Sequence, residues 1–513
     1  MTSPSLENLR HACGALARGL PFLSALQAAF PAGEVYLVGG AVRDLLIGRA
    51  TKDYDFLVRG VASSALGALL ARHGKVNLVG RTFGVYKFTP AGGDLDEAID
   101  IALPRTERSF ANSGGYRDFD IQSDPALPVE DDLLRRDFTM NAMAFRLHPA
   151  GLIDPFGGQA DLAAGRLRAV GDAAARFAED TSRILRGLRL ACAFGFEFEE
   201  ETWRALCERA GALDARRADG GFVVPRETVA REFIRAMMAD PVRAFDLWDD
   251  SGAFGVLLPE LLAMKGCPQP AVYHTEGDVW AHTRLCLGVL TSPAFRAEFD
   301  APCDAELALA VLFHDVGKPP TLQTPERDGT DRIRFNGHDK VGGRMVRGIA
   351  SRLKLSTFPK GTPEAVDEEA LAWLVEKHLL LVQGAVDQMR ASTLERHFLS
   401  PDRPGQKLMQ LIFCDGSGTI PPAGVPTLVS YRQVKVRLDA IRALGEKQAG
   451  APAPLLSGEE VMQALGIPPG PAVGKYLAQL REAQLQGLLS TRDDALAFLT
   501  HPPNPPTPPN TDF

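Results

Sequence analysis

The run YLVGGAVRDLLIGRATKDYDFLVRG, residues 36–60, constrains this 513-residue chain more than any other segment. An apolar strand over Val35–Val38 meets a Gly39-Gly40 turn, and a short helix through Asp44, Leu45, Leu46 and Ile47 stops at Gly48. A second strand then occupies residues 53–58. Side chains on a strand alternate faces, so Asp53 and Asp55 point the same way and can share a pair of divalent cations. The two glycines let the backbone approach a triphosphate, while Arg43 and the helix start supply positive potential. Such parts make a nucleotidyl-transfer site, in which two Mg²⁺ about 3.5–4 Å apart activate a terminal hydroxyl and stay with the departing pyrophosphate. A DxD pair alone is common in acidic loops, and the preceding GG-x-x-R makes it specific.

Around this run residues 1 to about 30 look helical and amphipathic, ended by Pro31-Ala32-Gly33, and a helix follows over about 62–73. Val76–Val79, Val85–Phe88 and Ile99–Leu103 read as further strands, so residues 1–150 form an α+β palm around a mixed sheet. Asp100 is the candidate third carboxylate, with a plain edge-strand charge as the alternative reading. Between Arg105 and Pro125 the pattern vanishes in RTERSFANSGGYRDFDIQSDP, as expected of a mobile loop over a site. In EDDLLRRDFTMNAMAF, the apolar surround of Arg135, Arg136, Asp137 and Asn141 argues against an idle surface. We expect Arg136 on phosphate, and Asp137 either holding an arginine or meeting sugar hydroxyls. The turn-rich LIDPFGGQADLAAG, with Asp154 and Asp161, marks a junction.

The chain is too long for one core, and helical patterning dominates after residue 175. In DTSRILRGLRLACAFGF, Arg183, Arg186 and Arg189 line one flank, and Asp180 with Arg183 can present donors and acceptors to a base edge. Breaks fall at Gly317–Pro325, Phe358–Pro363 and a Gly445–Pro454 linker; THPPNPPTPPN reads as a disordered tail. The boundaries expected are palm 1–150, with its loop at about 105–125, helical neck 151–255, helical body 256–440, tail domain 455–498 and the proline-rich end 499–513. A net charge of −8 does not exclude a nucleic-acid partner, because binding depends on local arginine clusters. Seven scattered cysteines without a CxxC pair read as reduced, mostly buried residues of a cytoplasmic protein, outside any zinc site. No stretch approaches a membrane span or signal peptide.

LVGGAVRD, KDYDF, RRDFTMNA, IDPFGG and EDTSRILRGLRLACAFGF together resemble the class II tRNA nucleotidyltransferases, the CCA-adding enzymes and their poly(A) polymerase relatives. The resemblance covers about residues 34–240. It implies metal binding by Asp53 and Asp55, nucleotide contacts from Gly39, Gly40, Arg43 and Arg136, base reading by Asp180 and Arg183, and Arg186 near the nucleotide. RTERSFANSGGYRDF resembles the family's flexible loop. The segment from Leu455 to Leu499 is similar to the C-terminal unit of CCA-adding enzymes, with Lys475 and Arg481 as candidates for tRNA contact. The activity implied is template-independent addition or repair of the 3′-terminal CCA of tRNA from CTP and ATP, releasing pyrophosphate. A-adding, CC-adding and poly(A)-forming enzymes share nearly every motif. The loop argues against a CC-only enzyme, and the proline and asparagine tail against a poly(A) polymerase with a basic one.

His282, His314, Asp315 and Asp415 follow the order H, HD, D across separate helical segments, an arrangement resembling the HD phosphohydrolase domain. VYHTEGDVWAHT and FNGHDKVGG strengthen the resemblance. His338 and His378 stand where members with a second metal carry histidines, although Leu379 follows His378 where a second HD pair would need aspartate. The implied cofactor there is a transition metal or Mg²⁺. An HD hydrolase keeping an inert nucleotidyltransferase module is the remaining alternative, opposed by the intact Asp53, Asp55 and Arg136.

Overall fold

The computed structural model describes residues 5–79, 85–91, 98–109, 119–300, 302–382, 386–445 and 451–500. It divides into two compact units, Met1–Pro259 with Arg352–Thr357, and Glu260–Ser351 with Phe358–Phe513.

The first unit is built on a mixed sheet. Its strands are β1 (Glu34–Val38), β2 (Asp55–Arg59), β3 (Gly74–Val79), β4 (Val85–Pro90) and β5 (Ile99–Ala102). A separate hairpin pairs β6 (Arg105–Ser109) with β7 (Phe119–Ser123), and β8 (Ala144–Arg146) and β9 (Gly151–Ile153) complete the main sheet. Among the described residues the seven-stranded order is β3-β4-β5-β2-β1-β8-β9, with β2 and β5 parallel and the other neighbours antiparallel.

Alternation along β1 and β2 divides the apolar side chains between two faces. Phe56 and Phe88 pack on Phe22, whose ring centroid lies 6.1 and 4.9 Å from theirs. On the other face Tyr36, Val38 and Leu57 form a cluster with Val129 and Leu133 of the helix Val129–Leu134. Asp55 is two residues from Leu57 and so shares this second face. The helix that covers the face thereby reaches the carboxylate cluster.

Three readings of the sequence need correction here. The strand expected over 53–58 runs Asp55–Arg59, so Asp53 stands before it and strand alternation does not set the direction of its side chain, while the helical stretch to about residue 30 is borne out as two helices, Leu6–Gly19 and Pro21–Ala29, divided at Pro21. The segment expected as a loop between Arg105 and Pro125 begins and ends in the β6–β7 ladder, and residues 110–118 lie outside the described residues. The break at Gly317–Pro325 holds a short helix, Lys318–Thr321, and starts another, Pro325–Asp328, each with proline in its first turn. Residues 501–513 lie outside the described ones, so the tail reading stays an expectation.

The second unit is helical. Five helices carry its polar centre: Val279–Val289, Ala305–Phe313, His338–Leu353, Glu368–Lys377 and Gly405–Gly418. Gly317 is required there, because a Cβ on it would sit 2.1 Å from the His338 carbonyl oxygen. Near the C-terminal end, Leu456, Val461, Val473, Leu480 and Leu499 gather a small core of their own. No helix among the described residues is long and apolar enough to cross a membrane.

Candidate active site and metal centre

A cavity of about 550 Å³ in the first unit is lined by Asp55, Asp100, Arg136, Asp137, Asp180, Arg183 and Arg186, with Asp132 and Glu232. Strand register explains the carboxylate end: Asp55 is the Cα partner of Val38 on β1 and of Asp100 on β5. Burial, reinforced by the charges of Asp53 and Asp100, pushes the Asp55 carboxyl up to about 6, with Arg136 opposing. A divalent cation beside Asp55 would favour its ionised form, and Asp100 lines the same cavity, whereas Asp53 precedes β2 and is not among the lining residues. Asp100 is nonetheless engaged: Lys87, its cross-strand partner on β4, donates to both its oxygens at 2.9 and 3.2 Å. Asp53 is exposed and its backbone amide is held by Thr51 Oγ1 at 3.3 Å.

The glycine turn supports the arginines. Gly39 has φ +73°, and a Cβ there would meet Arg136 Nη1 at 2.5 Å. Gly40 opens the helix Gly40–Leu46, and Arg43 on that helix donates to Asn141 Oδ1 at 2.6 Å. Asn141 Nδ2 in turn donates to Asp137 Oδ1 at 3.1 Å. Asp137 also pairs with Arg186 and accepts from the Phe138 amide, so of the two roles expected for it, holding an arginine is the one its contacts support. Sequence reasoning left Asp132 without a role. It is fully buried and holds both flanking arginines, Arg135 at 2.7 Å and Arg136 at 3.4 Å. Burial works against its charge, but those two guanidinium groups keep its carboxyl below the ordinary range. Its signal was the i, i+3 and i, i+4 spacing to Arg135 and Arg136.

The base-reading candidates are satisfied within the protein. Asp180 accepts from the Ser182 amide and hydroxyl at 2.9 and 2.6 Å. Arg183 donates to Glu179 Oε2 at 3.1 Å, to the Arg176 carbonyl at 3.2 Å and to the Arg135 carbonyl at 2.8 Å. The arginine flank is therefore not uniform: Arg183 is buried, Arg189 is tied to Glu232, and Arg186 is exposed. In the second unit Lys475 lines a cleft near the C-terminal core, whereas Arg481, also expected to be available, pairs with Glu395.

The six HD candidates converge. Donor atoms of His282, His314 and Asp415, together with Cys286, all lie within 4.8 Å of one another, as do those of Asp315, His338 and His378. Asp315 stands between the groups, with Oδ2 3.3 Å from His314 Nε2 and Oδ1 3.5 Å from His338 Nε2. The Nδ1 atoms of His314, His338 and His378 face the carbonyls of Val311, Phe335 and Val375 at 2.7, 2.9 and 2.7 Å. His282 Nδ1 faces Glu276 Oε1 at 3.0 Å. Donation from each Nδ1–H leaves the inward Nε2 with a lone pair, the tautomer a metal ligand needs. Those nitrogens approach one another at 3.3 Å (His282–His314) and 3.2 Å (His338–His378), separations that a shared cation reconciles.

Burial and the neighbouring His338 and His314 push His378 down to about 4, toward the neutral form. Glu276 is penalised by burial, but the hydrogen bonds of His282 and His274 hold it at about 2. Glu276, His274, Lys318 and Cys286 were not among the expected site residues. Lys318, whose Nζ is 2.6 Å from Asp315 Oδ2, follows the HD pair by three positions and was the most findable of them. Cys286 Sγ lies among the clustered donor atoms, although the sequence reading set the cysteines outside any zinc site.

The Poly A polymerase head domain model matches residues 35–168, and the HD domain model residues 280–411. The A-adding tRNA nucleotidyltransferase of Deinococcus radiodurans is 34% identical over 475 residues, 92% of this chain and 95% of that protein. This chain belongs to the tRNA nucleotidyltransferase and poly(A) polymerase family, with an HD domain in its C-terminal half. The Multifunctional CCA protein of Halorhodospira halophila is 40% identical over 332 residues, covering 63% of this chain and 69% of that one. Among solved structures, the Bacillus stearothermophilus CCA-adding enzyme in complex with CTP matches with a TM-score of 0.59 at 20% identity, covering 94% and 96% of the two chains. At that identity it bears on the fold alone, and it supports a family palm followed by helical domains.

Proposed function

We propose that this family member extends or repairs the 3′-terminal CCA of tRNA, using CTP and ATP and releasing pyrophosphate. The observation that carries the reading is the cavity in which Asp55 and Asp100 face Arg136, Asp180, Arg183 and Arg186. Magnesium held by Asp53 and Asp55 would supply activation of the terminal hydroxyl and charge neutralisation on the triphosphate. Arg136, anchored by Asp132 and backed by Gly39, orients phosphate, and Arg43 supports it through Asn141 and Asp137. Asp180 and Arg183 exchange their internal hydrogen bonds for the edge of the incoming base, and Arg186 stands near the nucleotide. Asp100 tunes the charge on Asp55 and joins the carboxylate pair only on leaving Lys87. We place the domains as palm 1–150, neck 151–255, HD body 256–440 and tRNA-contacting tail 455–498. The setting proposed is cytoplasmic, in keeping with the free thiols.

An A-only enzyme is the second reading, favoured by the Deinococcus radiodurans relative that matches nearly end to end. Purified protein given transcripts ending before CCA, after CC and after CCA separates the two. Ordered CTP then ATP incorporation stopping after A supports full CCA addition, whereas incorporation on CC ends alone supports the A-adding enzyme. Incorporation on none of them would refute both.

For the HD centre we propose phosphoester hydrolysis. His282, His314 and Asp415 would hold one divalent metal and Asp315, His338 and His378 a second, with Asp315 between the two groups, supplying an activated water. Lys318 positions Asp315.

A further inference from the structure

Resting on the metal reading of the HD centre, we propose that Cys286 is a sulfur ligand beside His282, His314 and Asp415, so that this position takes zinc, cobalt or nickel in preference to magnesium. His282 and Cys286 are four residues apart on the helix Val279–Val289 and share a face. Both are fully buried, and Cys286 Sγ lies 3.4 Å from His282 Nε2. His282 Nε2 lies 3.3 Å from His314 Nε2 and 3.1 Å from Asp415 Oδ1, His314 Nε2 lies 3.8 Å from Asp415 Oδ1, and the donor atoms of His314 and Asp415 are within 4.8 Å of the Cys286 sulfur. A tetrahedral shell with metal–nitrogen bonds of ~2.0–2.1 Å and a metal–sulfur bond of ~2.3 Å spaces its donors about 3.3–3.7 Å apart. The four separations that involve His282 or join His314 to Asp415 bracket that range.

Two independent features fix the group. The helix Gly405–Gly418, which carries Asp415, closes on the sulfur so tightly that a Cβ on Gly418 would stand 2.4 Å from Cys286 Sγ. Asp315 Oδ2, buried and paired with Lys318 Nζ at 2.6 Å, lies 3.3 Å from His314 Nε2 and 3.7 Å from His282 Nε2, so a second acceptor faces the same imidazoles as the thiol. When the metal binds, the Cys286 S–H bond breaks, its electron pair forms the sulfur–metal bond and the proton leaves to solvent. Two imidazoles and a thiolate suit borderline metals, whereas magnesium prefers six oxygens. The chain would then draw on different metals for its two centres.

The test uses full-length protein, stripped by a chelator and reloaded with Co²⁺ alone. Visible d–d bands of a bound, low-symmetry ion are expected together with a near-ultraviolet sulfur-to-cobalt charge-transfer band. Cys286→Ser should abolish the charge-transfer band and keep the d–d bands, while Cys414→Ala should keep both. Visible bands without charge transfer, or charge transfer that survives Cys286→Ser, would overturn the sulfur assignment and leave the metal centre standing. Absence of both bands would remove the HD metal reading as well. If the variants fail to fold, X-ray absorption of the zinc-loaded wild type decides: a sulfur scatterer at about 2.3 Å supports the proposal, and a nitrogen and oxygen shell alone overturns it.

Discussion

Burial, reinforced by the charges of Asp53 and Asp100, raises the Asp55 carboxyl to about 6. A carboxyl whose folded value exceeds its unfolded value of ~3.9 favours folding in its protonated form. That contribution is complete below about pH 4 and is lost as pH rises through about 6. In metal-free protein, Asp55→Asn should therefore melt higher than wild type near neutral pH, by on the order of 1–2 kcal/mol after allowance for solvent. The gap should close toward about pH 4, while nucleotide transfer is lost throughout. Calorimetry in chelator at both pH values checks it; a gap that does not change with pH would refute the charge argument. Asp132 has the opposite sign, since Arg135 and Arg136 hold its carboxyl low against burial. Asp132→Ala removes the buried carboxylate that Arg135 and Arg136 share and should cost about 3 kcal/mol, read as a lower denaturation midpoint.

The turn between β1 and the helix Gly40–Leu46 shows how an element controls the site. Gly39→Ala would add a Cβ against Arg136 Nη1 and impose a backbone conformation that side chains rarely adopt, at about 1–3 kcal/mol. We expect triphosphate affinity to fall more than stability, measured by nucleotide titration against thermal melts; unchanged affinity would show that Arg136 does not need this turn. The turn was readable because apolar β1, paired glycines and the helix each carry a local signal in the sequence. β1 to β5 were readable as apolar runs between turn signals, although β2 starts at Asp55 and not at Asp53, whereas β8 and β9, three residues each, were too short to carry a pattern. The β6–β7 hairpin was not readable either: RTERS and FDIQS carry little apolar periodicity, and only the cross-strand register defines them. The break before Pro21 was missed because amphipathic spacing continues across it. At the HD centre the histidines were readable by motif, but Cys286 looks like any small core residue until the helix face it shares with His282 is closed by Gly418. Spacing placed Arg183 on a flank with Arg186 and Arg189, but spacing gives a face and not what covers it, so the burial of Arg183 was not legible.

Each of the two compact units contains its own donor chemistry, carboxylates under arginines in one and imidazoles around Asp315 in the other. Charge compensation is also internal to each unit. Arg135 and Arg136 answer Asp132 in the first, while Lys318 answers Asp315 in the second. Substitutions in separate networks with no shared partner act additively. Asp53→Ala should therefore abolish incorporation of CTP and ATP into tRNA ends while phosphoester hydrolysis persists. His314→Ala should abolish hydrolysis and leave incorporation within about twofold of wild type. The double variant should lose both, with no further change in either. Measuring the two activities on the same preparations of wild type, each single variant and the double variant tests the separation. Loss of incorporation in a folded His314→Ala protein would mean that the HD centre feeds the palm, and the assignment of one chemistry to each unit would fail.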